Sequence, residues 1–137
     1  MENPERVDRM TILVDHNIEG QALLLWGVLL ASGWLEIASI RLVTFEEAAL
    51  PFDSSDREVW RFAQASGMVL LTDNRSMNEP DSLERTLREE NSPNAFPVLT
   101  IGRVDRLDDR VYREQCVARL VEIALDIPLG SGRIYIP

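Results

Sequence analysis

An α/β fold built on a mainly parallel sheet with helices on both faces is the architecture this sequence predicts. Three observations carry it. Thr11-Ile12-Leu13-Val14 and Met68-Val69-Leu70-Leu71-Thr72 are short, continuous apolar runs bounded by polar residues, the pattern of strands buried on both faces. Helical stretches alternate with such strands along the whole chain, which is the order of βαβ units. The chain has 137 residues, 45% of them hydrophobic, which suits one domain spanning 1–137 with a normal core.

The elements follow in order. Residues 1–9 form a polar lead-in and 11–14 the first strand. Asn17 is a candidate N-cap for a helix over 18–31, with Glu19 favourable in its first turn. That helix is apolar on most sides, which predicts burial against the sheet and self-association as a homodimer. Ser32-Gly33 ends it, and a second strand is placed at 37–42. Residues 44–49 form a short helical turn or loop. Ser55 followed by Glu58 is a capping-box pattern that opens a helix carrying Val59, Trp60, Phe62, Ala63 and Ala65, with Gly67 as its C′ residue. The third strand covers 68–72. A polar loop at 73–80 leads to a helix over 81–90 that Asn91-Ser92-Pro93-Asn94 breaks. The fourth strand covers 96–101 and the last long helix 109–126. Gly130-Ser131-Gly132 turns the chain into a final strand at 134–136.

Charge and composition exclude several classes. The net charge is −9, so no global field holds this chain to nucleic acid, and any such contact needs a local basic patch or bound cations. All 14 basic residues are arginines. Without lysine there is no P-loop, no protein-kinase strand lysine and no Schiff base. One cysteine, Cys116, excludes an internal disulfide framework, and its place in the last helix is that of a small buried hydrophobe. No apolar run approaches the ~20 residues of a membrane span, and Met1 to Met10 lack a signal core. By elimination the expected location is cytoplasmic.

The chemistry concentrates at strand ends. Asp15 follows the first strand and Asp73 the third. In open α/β sheets, ligands bind outside the carboxyl ends of strands, so neighbouring strands of this kind bring two carboxylates to one edge. The structural alternatives are a loop aspartate capping the next helix for Asp15 and an Asx-turn with Asn74 for Asp73. Asp56 lies in the first turn of a helix, where the dipole alone favours an acid; Asp81 has the same default reading. His16, the single histidine, adjoins Asp15 as a candidate base or ligand, with a hydrogen-bonded structural role as the commoner outcome. Arg103, Arg106, Arg110 and Arg113, interspersed with Asp105, Asp108 and Asp109, read by default as a solvated mixed-charge face, with a local phosphate contact as the alternative. Arg75 is better placed for a substrate phosphate. Several carboxylates without a cysteine or histidine cluster suit a hard cation, Mg²⁺ or Mn²⁺, which activates water and stabilises attack at phosphorus.

These motifs resemble the PIN-domain-like nucleases, in particular the short single-domain branch related to VapC-type toxins. The resemblance rests on Asp15-His16-Asn17 after an apolar strand, on Ser55-Asp56-Arg57-Glu58-Val59-Trp60, and on Met68 to Asp73; it covers about residues 10–78. It implies a three-layer α/β/α fold and a metal-dependent ribonuclease, with Asp15, Asp56 and Asp73 as catalytic and metal-binding carboxylates. Asn17, Asn74 and Arg75 are the accompanying candidates for substrate contact, RNA the candidate substrate, and an antitoxin protein a candidate partner. The chain also departs from the family pattern, which reads Thr-x-Asp-x-Asp-Phe after the third strand. Here Thr72-Asp73-Asn74-Arg75-Ser76-Met77 carries its acid one place early, with Asn74 in the usual acid position. The alternative reading is therefore a degenerate, non-catalytic PIN-like module that binds RNA or a protein.

Overall fold

The computed structural model describes residues 10–74 and 79–137. Five strands form one all-parallel sheet: β1 (Met10–Val14), β2 (Ile40–Val43), β3 (Met68–Thr72), β4 (Val98–Thr100) and β5 (Arg133–Tyr135). Their order across the sheet is β2-β1-β3-β4-β5. The α-helices are α1 (Glu19–Ser32), α2 (Phe45–Ala48), α3 (Asp56–Ala65), α4 (Leu83–Glu90) and α5 (Arg110–Leu125).

Strand alternation divides the core in two and so makes three layers. Ile12, Val14, Val69, Leu71 and Leu99 point to one face, where Ala22, Leu25 and Leu29 of α1 meet Cys116, Val117 and Leu120 of α5. Leu13, Val43, Leu70 and Val98 point to the other, under Phe45 of α2, Val59, Trp60 and Ala63 of α3, and Leu83 and Leu87 of α4. This is the expected α/β/α architecture. Among the described residues, no helix is long and apolar enough to cross a membrane.

The capping box at the start of α3 is formed as the spacing predicts: the Ser55 side chain accepts from the Glu58 amide while the Glu58 carboxylate accepts from the Ser55 amide. Gly67 takes a left-handed φ of 69° just past α3, a conformation that costs a residue with a Cβ. Leu23 is 67% and Leu30 60% exposed on α1, whereas Ala22, Leu25 and Leu29 are buried, so only part of this apolar helix faces the sheet.

Several boundaries differ from expectation, each for a local reason. Residues 34–36 form a 3-10 turn after Gly33, and the amides of Ile37 and Ala38 both donate to the Trp34 carbonyl, so β2 starts three residues later than predicted. Phe96 and Pro97 lie outside β4. Pro97 has no N–H to give, and both backbone groups of Phe96 are taken by the Gln64 side-chain amide, at 2.9 Å each. The helix expected over 81–90 begins at Leu83, because Ser82 is its cap and accepts from the Arg85 amide. Asp81 instead pairs with Arg57 at 3.0 Å. Finally, β5 begins one residue early, at Arg133.

Candidate functional site

The order β2-β1-β3 places a topological switch point between β1 and β3, since the chain leaves β1 in one direction and returns on its other side. Their register pairs Val14 with Leu71, and the Asp15 amide donates to the Leu71 carbonyl at 2.9 Å. The next pair up the ladder is therefore Asp15 beside Thr72, both on the face covered by α2, α3 and α4. There the Thr72 hydroxyl donates to Asp15 Oδ2 at 2.6 Å. The short distance is that of a charge-assisted bond. Thr72 is fully buried, and its oxygen also accepts from the Asn74 amide at 3.0 Å.

Asn74 carries the network onward. Its side-chain Nδ2 donates to Asp56 Oδ2 at 2.8 Å, and the same oxygen accepts from the Leu83 amide at 3.1 Å. Asp56 thus links the start of α3 to the start of α4. Two carboxylates, one hydroxyl and one amide form a chain, Asp15–Thr72–Asn74–Asp56, along one wall of a cleft of about 90 Å³. The lining also includes His16, Phe45 and Phe52, and Asn17, which is exposed.

The clamp beneath Asp56 is ionic. Arg57, half-buried, bonds to Asp81, Glu89 and Glu90, and Arg61 adds a second bridge to Glu90 at 2.7 Å. These pairs lock α3 against α4. Hydrogen bonds from Arg61 and Arg57 hold the Glu90 carboxyl down to about 2, while the bonds that Arg57 donates to Glu90 and Glu89 raise its guanidinium above the ordinary range. Arg133 of β5 donates to the Asn74 carbonyl at 2.9 Å and to Thr100 Oγ1 at 2.6 Å, and pairs with Glu84 at 3.1 Å. Its side chain is only 10% exposed.

The sequence-derived candidates divide as follows. Asp15, Asp56, Asn17 and Asn74 all line the cleft. Asp73 is half-buried and outside the lining set, because Thr72 and Asn74 take the cleft side of the alternating backbone. Arg75 lies outside the described residues. Asn17 does not cap α1. Asp15 fills a capping role instead, its Oδ1 accepting from the Asn17 amide at 3.3 Å to open a 3-10 turn over His16–Ile18. That turn satisfies donors which a single α-helical start at Asn17 would have left to the asparagine. His16 is anchored: its Nδ1 lies 3.5 Å from Glu19 Oε2, and its ring stacks on Phe52. Cys116 is fully buried, as predicted; its thiol donates to the Ile136 carbonyl at 3.0 Å, and burial pushes it up to about 11. Of the arginines after β4, three make the exposed local pairs expected of a solvated face, Arg103 with Asp105, Arg106 with Asp109 and Arg110 with Glu114, whereas Arg113 is half-buried and donates to the Leu107 carbonyl at 2.8 Å.

Thr72 and Phe52, which line the cleft, and Arg133, which braces Asn74 from outside it, carry no mark as site residues in the sequence. Thr72 was legible in principle, because aligning Leu13-Val14-Asp15 with Leu70-Leu71-Thr72 as parallel neighbours sets the acid beside the hydroxyl. Phe52 sits in a connector with no periodicity to mark it. Arg133 falls just before the strand expected over 134–136, directly after the Gly130-Ser131-Gly132 turn, so nothing in the sequence places it within β5.

Among the described residues, no group of three or more histidine, cysteine, aspartate or glutamate side chains is arranged to hold a metal ion. The donors that do meet here, the carboxylates of Asp15 and Asp56 with a hydroxyl and an amide, are hard oxygen chemistry. They fit Mg²⁺ or Mn²⁺, ions that keep several waters and take one or two protein carboxylates plus substrate oxygens. No protein-family model, curated protein or solved structure matches this chain.

Proposed function

We propose that this chain is a PIN-like, divalent-cation-dependent ribonuclease whose acidic cleft hydrolyses RNA phosphodiester bonds. The single observation that carries the reading is the meeting of Asp15 and Asp56 in one cleft at the β1/β3 switch point. The volume of about 90 Å³ matches a few waters or an ion with a phosphoryl oxygen, and is too small to enclose a whole nucleotide. Asp15 and Asp56 would hold Mg²⁺ or Mn²⁺. Such an ion, when bound, polarises the phosphoryl group and makes bound water a better nucleophile.

The chain's own residues supply orientation. The Thr72 hydroxyl fixes the Asp15 carboxylate, and the Asn74 amide with the Leu83 N–H fixes Asp56. Outer partners of this kind aim ligand oxygens and set their basicity. Asn17, exposed in the cleft lining, is placed to hydrogen-bond a substrate sugar or phosphate.

The test is cleavage of a 5′-labelled RNA by the purified chain in Mn²⁺, against EDTA and against Asp15→Asn, Asp56→Asn and Asp73→Asn. Cleavage that needs the ion and is lost in the first two variants supports the proposal, with Asp73→Asn the milder of the three. A wild-type protein inert in Mn²⁺, or equally active in EDTA, refutes it.

One observation favours a second reading. Asp15 and Asp56 each already close a structural contact, a turn cap and a helix tether, and an asparagine rather than an acid stands between them. That suits a non-catalytic module binding RNA or a protein such as an antitoxin, and RNA or partner binding without cleavage at any Mn²⁺ concentration identifies it. The exposed Leu23, Leu24 and Leu30 of α1 support self-association under both readings; sedimentation equilibrium giving a pure monomer at micromolar concentration rules that out.

A further inference from the structure

Phe52 is a large apolar ring held at the mouth of an acidic cleft while 62% exposed. Leaving such a ring in water forgoes the free energy of burying it, yet a closed turn and a ring contact hold it there. It occupies the turn Pro51–Ser54, where the Ser54 amide donates to the Pro51 carbonyl at 3.1 Å and the Ser54 hydroxyl to the same carbonyl at 2.8 Å. Pro51 presets its own φ. Behind Phe52 lies the His16 imidazole, 3.9 Å between centroids and 9° from coplanar. His16 is steadied by Glu19, whose Oε2 also accepts from the Phe45 amide at 3.4 Å, and the buried Phe45 ring lies 6.0 Å from the imidazole. The outcome is a stacked Phe52–His16 pair, with Phe45 tilted by 34° against His16, and the Phe52 ring largely in solvent.

We propose that Phe52, backed by His16, is a nucleobase-stacking platform, and that the cleft therefore takes single-stranded RNA with an unpaired base beside the phosphate under attack. This rests on the ribonuclease reading and names its substrate class. The cleft is too small for a base, so the base stays at the mouth, where the exposed π-face is. A duplex base is already stacked on both faces and does not reach it. The charge balance points the same way. A chain of net charge −9 gains little from phosphate contacts, so stacking and bound cations must hold the strand.

The test is fluorescence anisotropy of a fluorescein-labelled ten-nucleotide RNA, with Ca²⁺ in place of Mn²⁺ to keep the strand intact. A duplex and an abasic strand of equal length serve as comparisons. Phe52→Ala weakens single-strand binding about 5- to 150-fold, the range of one base–aromatic stack. Phe52→Trp stays within about threefold of wild type, and the abasic strand binds both variants alike. Circular dichroism confirms that the variants are folded. Equal affinity of Phe52→Ala and wild type, equal affinity for the abasic strand, preference for the duplex, or no binding at all overturns the platform. The two readings fail separately. A wild-type protein that cleaves RNA while Phe52→Ala binds normally defeats the platform alone, and one that binds through Phe52 without ever cleaving defeats the nuclease alone.

Discussion

Replacing Thr72 by valine removes one hydroxyl from the floor of the cleft and keeps a β-branched side chain in the strand. Two hydrogen bonds go with it: the 2.6 Å bond to Asp15 Oδ2 and the 3.0 Å bond from the Asn74 amide. A bond to a charged group is worth about 1.5–3 kcal/mol and a neutral one about 1 kcal/mol. Thr72 is fully buried, so no water replaces its hydroxyl on the spot, while half-buried Asp15 recovers part of its loss by turning to solvent. The expected cost is about 2–4 kcal/mol. With a urea m-value of ~2 kcal/mol/M, the midpoint falls by roughly 1–2 M. Urea unfolding followed by far-UV circular dichroism measures it. A double-mutant cycle with Asp15→Asn then isolates the pair, with an expected coupling of about 1 kcal/mol or more. A loss under ~0.5 kcal/mol, or strict additivity in the cycle, would refute the claim that this hydroxyl orients Asp15. If Asp15 holds a cation, the same substitution also weakens Mn²⁺ binding by about 10- to 100-fold, as loss of an outer partner does.

Two further predictions concern pH. Glu90 is held down to about 2 by Arg61 and Arg57, against an ordinary carboxylate in the unfolded chain, so its contribution is full above about pH 4.5 and disappears as pH falls toward 2. Urea midpoints at pH 7, 4.5 and 3 therefore drop more steeply for wild type than for Glu90→Gln, and parallel curves would contradict the clamp. Cys116 runs the other way: the buried thiol is raised to about 11, so the unfolded chain ionises first and stability falls between about pH 9 and 11, by up to ~3 kcal/mol. Cys116→Ala flattens that stretch, and in the native wild type the thiol stays inert to a disulfide reagent until denaturant is added; reaction in the folded state would show that it is not sealed.

The layers of this fold were legible because its buried strands are written as unbroken apolar runs. Thr11 to Val14 and Met68 to Thr72 announce strands and, with the helices between them, a parallel sheet. The capping box at Ser55 and Glu58 fixed the start of α3, and with it the position of Asp56. Ends set by tertiary contacts were not legible. Gln64, in α3, takes over the backbone of Phe96, and nothing near residue 96 in the sequence foretells it. The same limit applies to the site. Asp15 and Asp56 were identifiable from their strand-end and helix-start positions, whereas the bridge between them depends on a register of two strands separated by more than fifty residues. The expected cap of α1 by Asn17 is not made: a 3-10 turn capped by Asp15 comes first, and α1 then starts from Ile18 without a side-chain cap, a step that no residue type in this stretch announces.

Whether Asp15 and Asp56 together hold a divalent cation is tested most directly by calorimetric titration of Mn²⁺ into the wild-type chain, Asp15→Asn and Asp56→Asn. Binding of micromolar to low-millimolar strength that either substitution abolishes is the predicted result. No heat with the wild-type protein, or binding that survives both substitutions, would contradict it.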